Sequence, residues 1–108
     1  MTAYRVVITE DAEADLALLQ DFAMERELAS STPDFDVVER MLDAIDHALR
    51  LLAFSPHSCR KAARAVHAAQ RELIIPFGRT GFVAAFEICE ETVLVSAVRH
   101  QLEEDFRH

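Results

Sequence analysis

R-E-L-I-I-P-F (Arg71–Phe77), G-R-T-G (Gly78–Gly81), F-V-A-A-F-E-I-C (Phe82–Cys89), E-E (Glu90–Glu91) and T-V-L-V-S-A-V-R-H (Thr92–His100) form one continuous stretch, and its reading decides the fold. Three short apolar runs rich in Val, Ile and Phe, parted by polar or glycine-containing breaks, read as consecutive antiparallel strands. Strict alternation places Leu73, Ile75 and Phe77 on one face, Phe82, Ala84, Phe86 and Ile88 on one face, and Leu94, Ser96 and Val98 on one face. The same alternation sets Arg99 with Val93 and Val95, and His100 with Leu94 and Val98. Gly78 and Gly81, the chain's two glycines, fall in the first break, where a positive φ costs glycine little. Pro76 has no N–H to give a ladder, so it belongs at a strand end or with its nitrogen turned away. A three-strand meander with one apolar face does not stand alone in water.

The cover lies upstream. Tyr4-Arg5-Val6-Val7-Ile8 reads as a strand with Tyr4, Val6 and Ile8 on one face. Thr9 is a helix N-cap, followed by Glu10 and Asp11, whose carboxylates suit the positive end of the helix dipole. Ala12, Leu16, Leu19 and Ala23, flanked by Phe22, form the inner stripe of a first helix whose acids read as a solvated face. Thr32 as N-cap with Pro33 at the first helical position opens a second helix. Val38, Met41, Leu42, Ile45, Leu49 and Leu52 make its stripe, and Phe54-Ser55-Pro56 ends it. The segment from Pro56 to Gln70 reads as a mostly exposed connector with a turn or two of helix. In the tail, Leu102 and Phe106 stand at i, i+4 spacing. The expected architecture is α+β, in the order β-α-α-β-β-β. A two-helix hairpin packs on a mainly antiparallel curved sheet of about four strands.

A chain of 108 residues is expected to be a single domain, 1–108, able to bury roughly 65% of its unfolded surface. No apolar run approaches the ~20 residues of a membrane helix, and no leader-like segment precedes the first strand, so a cytoplasmic protein is expected. Cys59 and Cys89 lack metal-site or redox spacing, and no metal or cofactor is expected. The net charge of −8 is uneven. Residues 1–46 hold twelve acids against Arg5, Arg26 and Arg40, whereas residues 47–100 hold seven bases against Glu72, Glu87, Glu90 and Glu91. The whole field repels nucleic acid, while the C-terminal half can present a local basic surface.

The acidic helix start T-E-D-A-E-A-D-L, the helix end A-L-R-L-L-A-F-S-P, then R-E-L-I-I-P-F-G, F-V-A-A-F-E-I and V-S-A-V-R-H-Q-L-E-E-D-F occur here in one order. In that order and spacing, over nearly the whole chain, the sequence resembles the RelE/ParE superfamily of toxins from bacterial type II toxin–antitoxin systems. The resemblance implies two helices on a curved, mainly antiparallel sheet and a small cytoplasmic protein wrapped by a cognate antitoxin. Contact with operator DNA is expected only through that antitoxin. It also implies one of two activities. ParE-like members poison DNA gyrase without being nucleases, and RelE-like members cleave messenger RNA in the ribosome with basic residues of the sheet. A third class is a member that has lost toxicity and serves as a binding or co-repressor subunit.

Cleavage of RNA by its own 2′-hydroxyl needs a base, an acid for the leaving oxygen and cations facing the phosphate. Arg71, Arg99 and His100 stand in roughly the places where the resemblance implies such groups, with Arg60, Lys61 and Arg64 as backbone clamps. Each has a plainer reading. Arg71 can pair with a helix acid, His100 can be a structural or surface histidine, and the basic cluster can be a solvated connector. Neighbouring strand residues point to opposite faces, so Arg99 and His100 share a concavity only if the strand ends or bulges there. Lys61 is the only lysine, and Phe106 stands where a tyrosine hydroxyl would help a nuclease. These departures and the charge of −8 favour gyrase over ribosome-bound messenger RNA as the target. On that reading Arg60, Lys61, Arg64 and Phe106 are binding residues.

Overall fold

A computed structural model describes residues 3–61 and 70–101. Its elements run β1 (Arg5–Ile8), α1 (Glu10–Ala29), α2 (Asp36–Leu51), a single 3₁₀ turn (Pro56–Ser58), β2 (Arg60–Lys61), β3 (Gln70–Phe77), β4 (Thr80–Cys89) and β5 (Thr92–His100). The sheet order is β1-β5-β4-β3-β2, with β1 parallel to β5 and the other neighbours antiparallel. The expected meander is therefore β3-β4-β5. The sheet has five strands among the described residues instead of about four, because the supposed connector contributes the 3₁₀ turn and the two-residue β2. Two residues gave no periodicity from which to read a strand.

Thr9 joins β1 to α1 as the sequence predicts. Its side-chain oxygen accepts from the Ala12 N–H at 3.2 Å, which satisfies one of the orphan donors of the first turn. The start of α2 differs from expectation. Thr32 and Pro33 lie outside it, and the helix begins at Asp36 behind Phe35, which makes no side-chain cap. Local polar bonds hold the link instead. Glu27 Oε1 accepts from Asp34 N at 2.9 Å, Asp34 Oδ1 from Asp36 N at 3.1 Å, and Ser30 Oγ from Thr32 N at 3.0 Å.

Both inner stripes then do what their spacing requires. Ala12 and Ala23 of α1, and Val38, Met41, Ile45 and Leu49 of α2, are buried against Ile75, Phe82, Ala84, Phe86, Val93, Val95 and Val98 of the sheet. Leu52, just past α2, completes the layer. Large side chains removed from water in this way, Phe86 and Ile45 among them, each stabilise the fold by about 1.5–3 kcal/mol.

The β5 alternation is corrected by a bulge. Ala85 pairs with Ala97 and Phe86 with Val95, so Ser96 is the extra residue, exposed, with its Oγ 3.3 Å from the Ala85 carbonyl oxygen. Parity flips at that point. Val93, Val95, Val98 and His100 share the helix-facing side, and Leu94 and Arg99 the other.

The two glycines serve different ends. Gly78 has φ +61° in the β3–β4 turn, whereas a Cβ at Gly81 would collide with the Ile75 carbonyl oxygen across the ladder. Pro76, exposed and opposite Gly81, is the penultimate residue of β3. In the tight β4–β5 turn Glu90 adopts φ +57° without being glycine.

Candidate functional site

Arg71 is the first candidate. It begins the inward-facing series Arg71, Leu73, Ile75, but its guanidinium leaves the core at the sheet's edge. There Nη1 donates to the Cys59 carbonyl at 2.8 Å and to the His57 carbonyl at 3.3 Å. One oxygen belongs to the 3₁₀ turn and the other follows it, so Arg71 straps that turn to β3, and the expected partner, a helix acid, does not bond it among the described residues. The His57 ring meets Tyr4 edge-on at 5.9 Å, and the Tyr4 N–H donates to the Ala53 carbonyl at 2.7 Å. Burial pushes the Cys59 thiol up from its ordinary value, with Arg71 pulling weakly the other way. A half-buried neutral thiol is a poor nucleophile.

Arg60 and Lys61 are exposed on β2 at the end of the sheet, opposite Glu72 and Arg71. Arg60 Nε lies 3.2 Å from Glu72 Oε1. That oxygen is buried and makes no hydrogen bond of good geometry, so the pair is held by charge at a mostly exposed guanidinium. Such a pair contributes about 1 kcal/mol or less. Arg64 and Phe106 lie outside the described residues.

Arg99 and His100 diverge. Arg99 pairs in register with Val83 on the face away from the helices. His100 pairs with Phe82 on the helix side, meets that ring edge-on at 5.5 Å, and places Nε2 3.1 Å from Thr80 Oγ1. The bulge that could have aimed both at one concavity lies three residues upstream. It shifts the parity of both together, so they still oppose each other.

His100 opens onto a groove of about 860 Å³ between the second half of α1, the start of α2 and the β3–β4 turn. Leu19, Ala23, Met41, Phe77 and Phe82 give it an apolar floor, and Arg26, Glu25, Glu27, Arg79 and Thr80 a polar rim. Arg26, Arg79 and Thr80 carry no signal in the sequence that joins them to His100. Arg79 and Thr80 were legible only as turn residues, and Arg26 only as the last-turn base of α1. No periodicity joins a helix end to a turn fifty residues away. Chemically the groove offers an apolar seat with cations and carboxylates at its mouth, suited to a protein side chain more than to a phosphate.

No helix among the described residues is long and apolar enough to cross a membrane. No curated protein sequence matches the chain. Solved structures share its fold, and two of them are toxin–antitoxin assemblies. One, described as the chromosomal ParDE toxin–antitoxin system from P. aeruginosa, superposes with a TM-score of 0.69 at 14% identity over 91% of this chain and 96% of that one. The other, the toxin–antitoxin complex RelBE2 from Mycobacterium tuberculosis, gives a TM-score of 0.56 at 20% identity over 91% of this chain and 98% of that one. Residues 6–105 match the family described as the ParE toxin of type II toxin-antitoxin system, parDE. With that match spanning nearly the whole chain, and the helix pair and sheet order in place, the protein belongs to the ParE toxin family of the RelE/ParE superfamily.

Proposed function

We propose that this toxin inhibits growth by poisoning DNA gyrase, and that it does so by binding, without cutting a nucleic acid. The observation that supports this reading is the divergence of Arg99 and His100. They face opposite sides of β5, while Arg71 spends its guanidinium on the His57 and Cys59 carbonyls. In-line attack by a 2′-hydroxyl needs a proton acceptor, a proton donor and a cation around one phosphate. These three side chains do not surround one point. The net charge of −8 adds a long-range penalty for entering a polyanionic ribosome.

Expression without the antitoxin tests the reading. A gyrase poison stops growth with filamentation and a DNA-damage response while protein synthesis continues. Immediate loss of translation, with messenger RNA cut at ribosomal A-site codons, would assign the protein to the RelE-like activity instead. Growth unaffected by expression would assign it to the non-toxic class.

A further inference from the structure

An amphipathic surface helix normally shows one apolar stripe. α1 shows two. Its inner stripe, Ala12, Leu16, Leu19 and Ala23, meets the sheet. Outside it Ala14, Leu18 and Phe22 repeat at four-residue spacing, and Leu28 stands about 120° round the helix from Phe22, beyond Glu25. Leu18 is 55% exposed, Phe22 57% and Leu28 68%. Isolated exposed leucines are ordinary, but Leu18 and Phe22 stand one turn apart and form a patch, with Leu28 at its border. Phe22 also lines the groove that reaches His100, so the patch continues into it.

The charge around the patch determines what can cover it. α1 carries Glu10, Asp11, Glu13, Asp15, Asp21, Glu25 and Glu27 against Arg26 alone. Asp11, Asp21 and Glu25 lie on the same outer face, Asp21 and Glu25 between the Leu18–Phe22 pair and Leu28. A second copy of the chain would place these carboxylates against their own kind, which costs several kcal/mol at a desolvated interface. Nucleic acid is repelled by the same field. A ridge of side chains four residues apart accepts the groove of another helix.

We propose that the outer face of α1 docks a cationic amphipathic helix of the antitoxin. Apolar side chains of that helix cover Leu18 and Phe22 and reach Leu28, and lysines or arginines interleaved with them meet Asp21 and Glu25. The inference rests on the toxin–antitoxin reading and adds the sign of the charge that the antitoxin brings to this face. Apolar contacts there hold the complex together, and the flanking charges set its register and rate of formation.

The test uses the full-length chain and, as probe, the antitoxin encoded by the adjacent reading frame, with binding measured by biolayer interferometry. Raising salt from about 50 mM to about 500 mM weakens the complex by roughly 10-fold or more, mainly through slower association. The double charge reversal Asp21→Lys/Glu25→Lys weakens it by roughly 10–100-fold. Leu18→Ala/Phe22→Ala weakens it by roughly 30-fold or more through faster dissociation. The reversal Glu39→Lys/Asp43→Lys on the exposed side of α2 leaves it unchanged. All these positions are exposed, and unchanged thermal melts show that the variants fold. Wild-type affinity in both α1 variants overturns the proposal while leaving the toxin–antitoxin reading intact. So does an equal loss in the α2 control, or a chain that dimerises alone and is split by Leu18→Ala/Phe22→Ala. Failure of the unaltered chain to bind the antitoxin, together with no growth rescue by it, overturns that reading and the proposal with it.

Discussion

Asp15 of α1 accepts a hydrogen bond from the backbone N–H of Val98 in β5, Oδ2 to N 3.0 Å, across 83 residues of chain. β1 ends at Ile8, opposite Val95, so beyond Ser96 β5 has no strand on that side among the described residues. The edge is closed by the helix instead. Thr9 donates from its backbone N–H (3.1 Å) and its hydroxyl (2.9 Å) to the Val95 carbonyl just before the bulge, and Asp15 takes the Val98 N–H just after it. The first turns of α1 thus satisfy the groups that β1 and the bulge leave over, and the bulge between those bonds sets which way His100 faces.

Removing that acceptor leaves a part-buried N–H unpaired. Asp15→Ala is expected to cost about 1–3 kcal/mol, a fall in Tm of roughly 4–8 °C per kcal/mol for a chain of this size. Asp15→Asn keeps an acceptor and loses less. Calorimetry with hydrogen exchange at Val98 checks it: an exchange rate unchanged in Asp15→Ala would show that the bond does not protect that amide.

The difference between what was legible in the sequence and what was not follows from such bonds. Local signals worked where the cause is local. The Thr9 cap, the inner stripes of both helices and the three-strand meander depend on residues within a turn or a hairpin of each other. The bulge at Ser96 depends on Thr9 and Asp15 reaching it from the far end of the chain, so alternation placed Leu94 with Val98 and missed the flip. α2 starts at Asp36 and not after Thr32, because Glu27 and Asp34 bind the link into a turn that the Thr-Pro pair did not reveal. The outer stripe of α1 stood in the sequence at Ala14, Leu18 and Phe22. Phe22 reads there as a flank of the inner stripe, and Leu18 is hidden among acids that read as solvent-facing. For the site, the candidates on the strands could be named from sequence, but their aim could not.

Glu90 adopts a left-handed backbone, φ +57°, in the tight β4–β5 turn, where a side chain costs about 1 kcal/mol that glycine or asparagine largely avoids. Glu90→Gly and Glu90→Asn are expected to stabilise the fold by about 0.5–1 kcal/mol. Denaturant unfolding reads this as a rise in midpoint at constant slope. Gly81→Ala is the contrary case. Its methyl meets the Ile75 carbonyl oxygen and should cost about 1–3 kcal/mol, whereas a neutral result would show that β3 gives way there.

The two cysteines should separate by reactivity. Cys89 is exposed, while Cys59 is part-buried with its thiol pushed up by burial. A raised value keeps the proton on sulfur to higher pH, so less thiolate is available at any pH below it. Iodoacetamide at about pH 7.5 should label Cys89 first, and Cys59 should follow only as the pH rises or the fold opens. Mass spectrometry of timed samples decides it, and equal rates at both would mean that Cys59 is not shielded.

Arg71→Ala removes both bonds that fasten the 3₁₀ turn and should cost about 1.5–3 kcal/mol, lowering toxicity only as far as it lowers the folded fraction. His100→Ala should leave toxicity nearly unchanged, since a binding toxin moves no proton. In a nuclease the same change would cost about 10²–10⁴-fold in cleavage. A growth titration of both variants, set beside their melts, tells stability from chemistry.

The central claim is that the toxin acts on gyrase by binding, and one measurement meets it directly. Toxin freed from its antitoxin is added to DNA gyrase and plasmid, and in parallel to ribosomes translating a defined messenger. The expected result is gyrase-dependent accumulation of cleaved or unsupercoiled plasmid, unchanged by His100→Ala, with the messenger intact. Untouched gyrase beside messenger RNA cut on the ribosome, with the cut lost in His100→Ala, would contradict it.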